Sequence, residues 1–139
     1  MYFCETTGLA SAECGVRSAE LPKAVASGFK VRVTEDMTSR LADFVDKKIM
    51  LGIRPENITD TFPATGAKSE CTVAAVAEVI EPVGAETYLY AATGAHSFVG
   101  RIHAGHRVAV KQSVSLMFDM SRAHFFDPEM EKVVGLKGL

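Results

Sequence analysis

A chain of 139 residues with 47% hydrophobic side chains is long enough for one domain, or for two small subdomains sharing a core. A formal charge of −2, no Trp and 8% aromatics argue against the basic face and base-stacking platform that nucleic-acid binding uses. Cys4, Cys14 and Cys71 are odd in number and lack Cys-x-x-Cys spacing, which argues against a disulfide framework or zinc knuckle and fits a reducing cytoplasm.

Met1-Tyr2-Phe3-Cys4 opens on apolar residues, without the basic-then-apolar pattern of a signal peptide. Gly8 to Ser18, with Gly8 and Gly15 as breakers, reads as a loop or loose hairpin, and Leu21-Pro22 as a short extended piece. Phe29, Val31 and Val33 alternate with Lys30, Arg32 and Thr34, a half-buried strand. Asp36 can cap a short helix over about 36–46, where Met37, Leu41, Phe44 and Val45 share a face and Lys47 and Lys48 suit its negative end. Ile49 to Ile53 is a buried strand. Pro55 ends it, because it lacks a backbone donor and holds Arg54 extended. Arg54 and Glu56 then flank a rigid corner, read either as a turn pinned by an ion pair or as a contact loop presented to another domain.

Thr59 to Ser69 reads as a loop. Cys71 to Ile80 is an apolar run broken by Glu78, far short of the ~20 residues of a membrane span. An Ala-rich helix competes here, but Val73, Val76, Val79 and Ile80 favour a strand. Pro82 and Gly84 turn the chain into a strand over Glu86–Ala92, with Tyr88 and Tyr90 on one face. Gly94 turns it again, Phe98–His103 pairs back, and Arg107–Lys111 alternates after Gly105. Val114, Leu116 and Phe118 mark another strand, Ser121–Phe125 one helical turn, Asp127-Pro128 a turn, and Val133-Val134 an edge strand. About seven or eight short strands with one helix predict a mostly β fold, a Greek-key barrel of the oligonucleotide/oligosaccharide-binding (OB) type.

Three constellations bear on chemistry. Thr65-Gly66-Ala67-Lys68-Ser69 resembles the end of a phosphate loop, but Ala67 parts Gly66 from Lys68 and no Gly stands four residues earlier, so the amide cradle is missing. His96, His103, His106 and His124 invite a metal reading; His96 and His103 lie at the two ends of one strand, ~20 Å apart if extended, and no carboxylate or thiol stands at ligand spacing. Ser121, His124 and Asp127 form a local trio at spacings of three, with no elbow or oxyanion hole beside it. A soluble flexible loop is the preferred reading of the first and solvated turn histidines of the second, while Pro128 ends the turn that would carry the third.

Four stretches together carry a resemblance. They are Leu51-Gly52-Ile53-Arg54-Pro55-Glu56, Val79-Ile80-Glu81-Pro82-Val83-Gly84-Ala85-Glu86-Thr87-Tyr88-Leu89, Phe98-Val99-Gly100-Arg101, and His124-Phe125-Phe126-Asp127-Pro128-Glu129. In order and spacing they look like the C-terminal regulatory domain, a TOBE domain, of the ATP-binding subunits of ABC importers of the maltose and glycerol-phosphate type. The likeness runs from about Phe29 to Val134, and Met1-Tyr2-Phe3 resembles the Met-Asn-Phe that often opens that domain. Departures are Tyr2 in place of Asn, a longer 8–28 segment, and Met130-Glu131 in place of Thr-Gly.

The resemblance implies a single regulatory domain with an extension over 1–28, an OB-like or MOP-like core over 29–134 partly built of two barrel-like subdomains, and a tail over 135–139. The ATPase domain would precede Met1, so ATP and Mg belong there and this chain needs no catalytic residue, metal or cofactor. By position, Gly52, Arg54, Pro55 and Glu56 would form a loop near the domain junction, and His124, Phe126 and Asp127 a C-terminal corner, all structural or interface residues. The implied partners are a second copy (a homodimer), the ATPase domain, the permease subunits indirectly and a regulatory protein, with no nucleic acid. The implied location is the cytoplasmic face of the membrane. A free-standing barrel binding oxyanions or single-stranded nucleic acid is the alternative.

Overall fold

The computed structural model describes residues 2–6, 13–17, 30–61, 70–93 and 96–134. Three antiparallel sheets carry them. In the first, β1 (Tyr2–Thr6) lies between β2 (Glu13–Arg17) and β3 (Lys30–Arg32). In the second, β10 (His124–Asp127) lies between β4 (Met50–Gly52) and β11 (Lys132–Val133). The third is the largest, in the order β5 (Ile58–Thr59), β9 (Ser113–Phe118), β6 (Thr72–Val83), β7 (Glu86–Ala92) and β8 (Ser97–His103).

Period-two alternation builds the large sheet. Thr87, Leu89 and Ala91 are buried, while Tyr88 and Tyr90 face outward. Val73, Ala75 and Ala77 point inward along the first half of β6. A β-bulge between Ala77 and Val79 then shifts the register. It lets one long strand pair with β9 along Thr72–Val76 and with β7 along Val76–Val83. Bulges add local bend and twist, and here they help roll the sheet. The roll brings the edge strands β5 and β8 together: a Cβ placed on Gly100 would stand 3.0 Å from Ile58 Cγ2 and 3.2 Å from the Ile58 carbonyl oxygen. The result is mostly strand, a nearly closed barrel of the OB type. One apolar cluster, including Val31, Leu41, Ile58, Leu116 and Phe125, ties the elements together.

Several local readings are corrected. Part of the 1–28 extension is sheet: β1 and β2 form a hairpin, and β1 also pairs with β3 at the start of the core. The helix is shorter than 36–46. It is α1 (Glu35–Arg40), followed by a separate 3-10 turn at Ala42–Phe44. Its N-cap is Thr34, whose carbonyl accepts from the Thr38 amide and hydroxyl, both at 3.0 Å. Asp36 instead pairs with Arg40, one turn on, at 3.2 Å. A helix this short has little stability of its own. The chain leaves helical geometry at Leu41, which is fully buried and fixes the exit.

Arg107–Lys111 is not a strand. Gln112 ties this segment into a turn, its amide donating to the Ala109 carbonyl at 3.1 Å and its side-chain oxygen accepting from the Ala109 amide at 2.9 Å. Lys111 has φ 72, and its backbone amide donates to the Ala77 carbonyl at 2.7 Å, filling the gap opened by the bulge. Pro82 belongs to β6, paired with Thr87, and the turn is Gly84-Ala85, with Gly84 at φ 62. Proline is tolerated where the ladder does not need its amide. The helical turn sits at Met120–Arg122 rather than Ser121–Phe125, and His124 already begins β10. The phosphate-loop look-alike 65–69, Leu21-Pro22, the Gly94 turn and the tail 135–139 lie outside the described residues.

Candidate functional site

The two motifs that carried the resemblance at either end lie side by side. Gly52 pairs with His124, Leu51 with Phe125, and Met50 with Phe126. Cross-strand partners share a face. Phe125 is fully buried, and Leu51 packs against the core with it. Met50, Gly52, His124 and Phe126 therefore form the opposite face. A Cβ on Gly52 would stand 2.6 Å from Phe126 Cε2, so the ring occupies the space a side chain would need.

Gly52→Ala is expected to cost about 1–3 kcal/mol through overpacking. In a Phe126→Ala background the same change should be close to neutral. A double-mutant cycle on denaturant midpoints checks this; additive losses would show that the ring is not the obstacle.

Beyond Gly52 the chain turns as the sequence requires. Arg54 is extended at φ −77, ψ 147, and Pro55 opens a single 3-10 turn over Pro55–Asn57. The Asn57 amide donates to the Arg54 carbonyl at 2.9 Å, and the Asp119 amide donates to the Asn57 carbonyl at 2.8 Å. The corner is thus fastened by backbone, not by charge. Arg54 and Glu56 approach only to 3.9 Å, with side chains 76% and 44% exposed, an ion pair of the weakest kind. Both charges are displayed to solvent.

Asp127 ends β10. Its carboxylate accepts the Glu129 amide at 2.8 Å and the Met130 amide at 3.3 Å, and its carbonyl accepts the Glu131 amide at 2.9 Å. This is an Asx-type turn. Glu131 adopts φ 52 within it, where the expected Thr-Gly pattern would have supplied glycine. Gly52, His124 and Phe126 are therefore brought together on one sheet face. Arg54, Pro55 and Glu56 lie beyond one end of that pairing, and Asp127 closes the other.

Among the described residues, neither the serine trio nor the histidine set assembles. Ser121 donates its hydroxyl to Asp119 Oδ1 at 2.5 Å, while the Asp127 carboxylate is taken by the turn, so the serine trio has neither relay. His103 Nδ1 accepts the Gly105 amide at 3.1 Å, and the His103 and His106 rings stand 6.5 Å apart. Among the described residues no three metal-ligating side chains converge. His106 contacts Asp60, whose Oδ1 is buried without a hydrogen-bond partner.

Gly100, within Phe98-Val99-Gly100-Arg101, has a role that the stretch alone did not reveal. A lone glycine in a strand pattern signals close backbone approach, and here the approach is the barrel seam. An open cleft of about 580 Å³ also went unforeseen, with Val33, Thr34, Cys71, Met117 and Asp119 on its walls. Burial pushes the Cys71 thiol above its ordinary pKa, which leaves it a poor nucleophile near neutrality.

The TOBE domain family matches residues 51–126, from the first paired motif to the second. The chain is 34% identical over 109 residues to the multiple sugar-binding transport ATP-binding protein MsmK of Streptococcus mutans, a match covering 77% of this chain and 29% of that protein. It is 30% identical over 109 residues to the trehalose/maltose import ATP-binding protein MalK of Thermococcus litoralis, covering 76% of this chain and 29% of that protein. It is 31% identical over 88 residues to the oligosaccharides import ATP-binding protein MsmX of Bacillus subtilis, covering 63% and 24%. The chain thus spans under a third of the length of the relatives it matches. On the match over 51–126, this chain belongs to the TOBE domain family.

Proposed function

We propose that this chain is the C-terminal regulatory domain of the ATP-binding subunit of a sugar-importing ABC transporter. The observation that carries this is the TOBE match over 51–126, set beside relatives whose names are those of sugar-import ATP-binding proteins. The domain makes and breaks no bonds. ATP and Mg belong to the ATPase portion of the subunit, and the permease contacts lie with that portion.

Its work is association. Two copies tethered through this domain keep their ATPase halves at high effective concentration after hydrolysis has separated them. A regulatory protein or small molecule acts by binding one arrangement better than the other, since only differential affinity shifts the equilibrium. The exposed corner Arg54-Pro55-Glu56 suits a contact with the neighbouring ATPase domain, because its charges are solvent-exposed and only weakly paired and its backbone is held. The domain sits at the cytoplasmic face through its partners; no described helix is long and apolar enough to cross a membrane. The alternative, a free-standing barrel for oxyanions or single strands, draws no support from a net charge of −2.

The test is the genomic locus. The reading expects coding sequence for a nucleotide-hydrolysing domain in frame with this chain. A locus with no such domain, fused or adjacent, overturns it. Within the assembled importer, Arg54→Glu should lower transport-coupled ATP hydrolysis several-fold while leaving the melting temperature unchanged. Unchanged turnover would remove the corner from the coupling path.

A further inference from the structure

The cleft of about 580 Å³ lies where three parts of the chain meet. These are the end of β3 with the start of α1, the run into β6 at Glu70-Cys71, and the end of β9 with the 3-10 turn Met120–Arg122. Its size is that of a small-molecule site. Val33, Cys71, Met117, Phe118 and Met120 give it apolar walls.

Backbone bonds hold those walls in place. The Arg32 amide donates to the Glu70 carbonyl at 2.7 Å, the Phe118 amide to the Cys71 carbonyl at 2.9 Å, and the Asp119 amide to the Asn57 carbonyl at 2.8 Å. Walls that need no ordering on binding spare a ligand that cost.

The charge around the cleft is one-sided. Its cation, Arg32, is already engaged with Glu70 at 2.8 Å. Glu35 and Asp119 carry no ion pair among the described residues. Glu35 is exposed in the first turn of α1. Asp119 Oδ1 accepts the Ser121 amide at 3.1 Å and the Ser121 hydroxyl at 2.5 Å, which fixes the carboxylate and leaves Oδ2 able to accept. The Cys71 thiol registers the same field. Burial is the largest cause of its raised pKa, and the Glu70 and Asp119 carboxylates add to it, partly offset by the Arg32 guanidinium.

An apolar cavity bordered by carboxylates that lack cations is complementary to an apolar body carrying an ammonium. Each ammonium N–H can make a charge-assisted hydrogen bond to a carboxylate. An anion would meet repulsion from Glu35 and Asp119. A sugar would bury hydroxyls against apolar walls that offer them no partner.

We infer that the cleft between β3–α1 and β9 binds a small organic amine in its protonated form, with the apolar body against Met117 and Met120 and the ammonium held by Glu35 and Asp119. The inference rests on the regulatory-domain reading for its biological use, as a site for a small-molecule signal, though not for the binding itself.

Methionine-methyl NMR of the full chain tests it, because Met117 and Met120 line the cleft while Met50 and Met130 are exposed and lie off its walls. The probes are phenethylamine, the uncharged phenethyl alcohol and the anionic phenylpropionate, near neutral pH. Phenethylamine should shift the Met117 and Met120 methyls saturably and leave those of Met50 and Met130 in place. The other two probes should bind about tenfold more weakly or worse, the scale of one lost hydrogen bond to a charged group. Asp119→Asn and Glu35→Gln should each weaken the amine about tenfold with an unchanged melting temperature. Glu129→Gln, an exposed acid off the cleft, should leave affinity as it was. Equal binding of the three probes, or shifts that spread to Met50 and Met130, would mean unspecific apolar contact and overturn the inference. So would a stronger response to phenylpropionate, or no saturable shift with phenethylamine. The genomic locus decides separately whether the chain is part of an importer subunit.

Discussion

Phe125→Ala should lower the unfolding free energy by about 3–5 kcal/mol, the range for a fully buried aromatic cut back to a methyl. Phe125 heads the set of completely buried side chains, at 0% exposure. It sits on the central strand of the small sheet, opposite Leu51, and its carbonyl accepts the Val134 amide at 2.7 Å. The ring is therefore held on both flanks by backbone pairing, and collapse into the space it leaves is hindered. Cavity cost is greatest where the surroundings cannot relax. Small domains have only about 5–15 kcal/mol to lose, so this one change should remove a large share of the total. Urea titration followed by circular dichroism gives the number. A loss below about 1 kcal/mol would mean that the ring is not a keystone between the small sheet and the barrel. The variant should also speed amide exchange in β4, β10 and β11 more than in β7, because local opening is cheapest where contacts have gone.

That experiment probes the part of the molecule least legible in one dimension. The strand β7 could be read at its full extent, Glu86–Ala92, because alternation of Thr87, Leu89 and Ala91 with Tyr88 and Tyr90 is a local signal. The corner at Arg54-Pro55 was legible for the same reason: proline's missing donor acts on its immediate neighbour. The pairing of Gly52 with His124 was not, since no periodicity connects strands so far apart in the chain. Arg107–Lys111 imitated a strand, but a glutamine one residue beyond it ties the backbone into a turn. The helix was overextended because the stripe Met37, Leu41, Phe44 and Val45 continues past Arg40, while the burial of Leu41 ends the helical geometry first. At the candidate site, the family resemblance implied a junction loop and a C-terminal corner. Which side chains are spent on turns, as Asp127 is, and which stay on display, as Arg54 does, required coordinates.

Gly100→Val should be the most disruptive single change in the barrel that removes no atom. A first added carbon at Gly100 meets Ile58 Cγ2 at 3.0 Å, the Ile58 carbonyl oxygen at 3.2 Å and Leu116 Cδ1 at 3.5 Å. One of these contacts is backbone, so no rotamer change can clear it. β8 and β5 are not hydrogen-bonded neighbours in the sheet order; they meet where Gly100 packs against Ile58. The cheapest response is for β5 to move outward, which strains its pairing of Ile58 with Phe118 and Thr59 with Met117. Overpacking of a tight interior costs about 1–3 kcal/mol and sometimes more, and valine adds two further methyls to the colliding Cβ. Gly100→Ala should fall at the lower end of that range and Gly100→Val at or beyond the upper. Native-state hydrogen exchange distinguishes seam opening from general loosening. Protection should fall at the β5 amides and at Asp119, whose amide rests on the Asn57 carbonyl, while the β6–β7 hairpin keeps its own. Uniform loss of protection across β6 and β7 would instead make Gly100 an ordinary core position. The corner Arg54-Pro55-Glu56 feeds directly into β5, so the seam also fixes where the displayed charges point. In an assembled transporter, Gly100→Ala should therefore reproduce part of the Arg54→Glu defect in coupled hydrolysis without touching a charge.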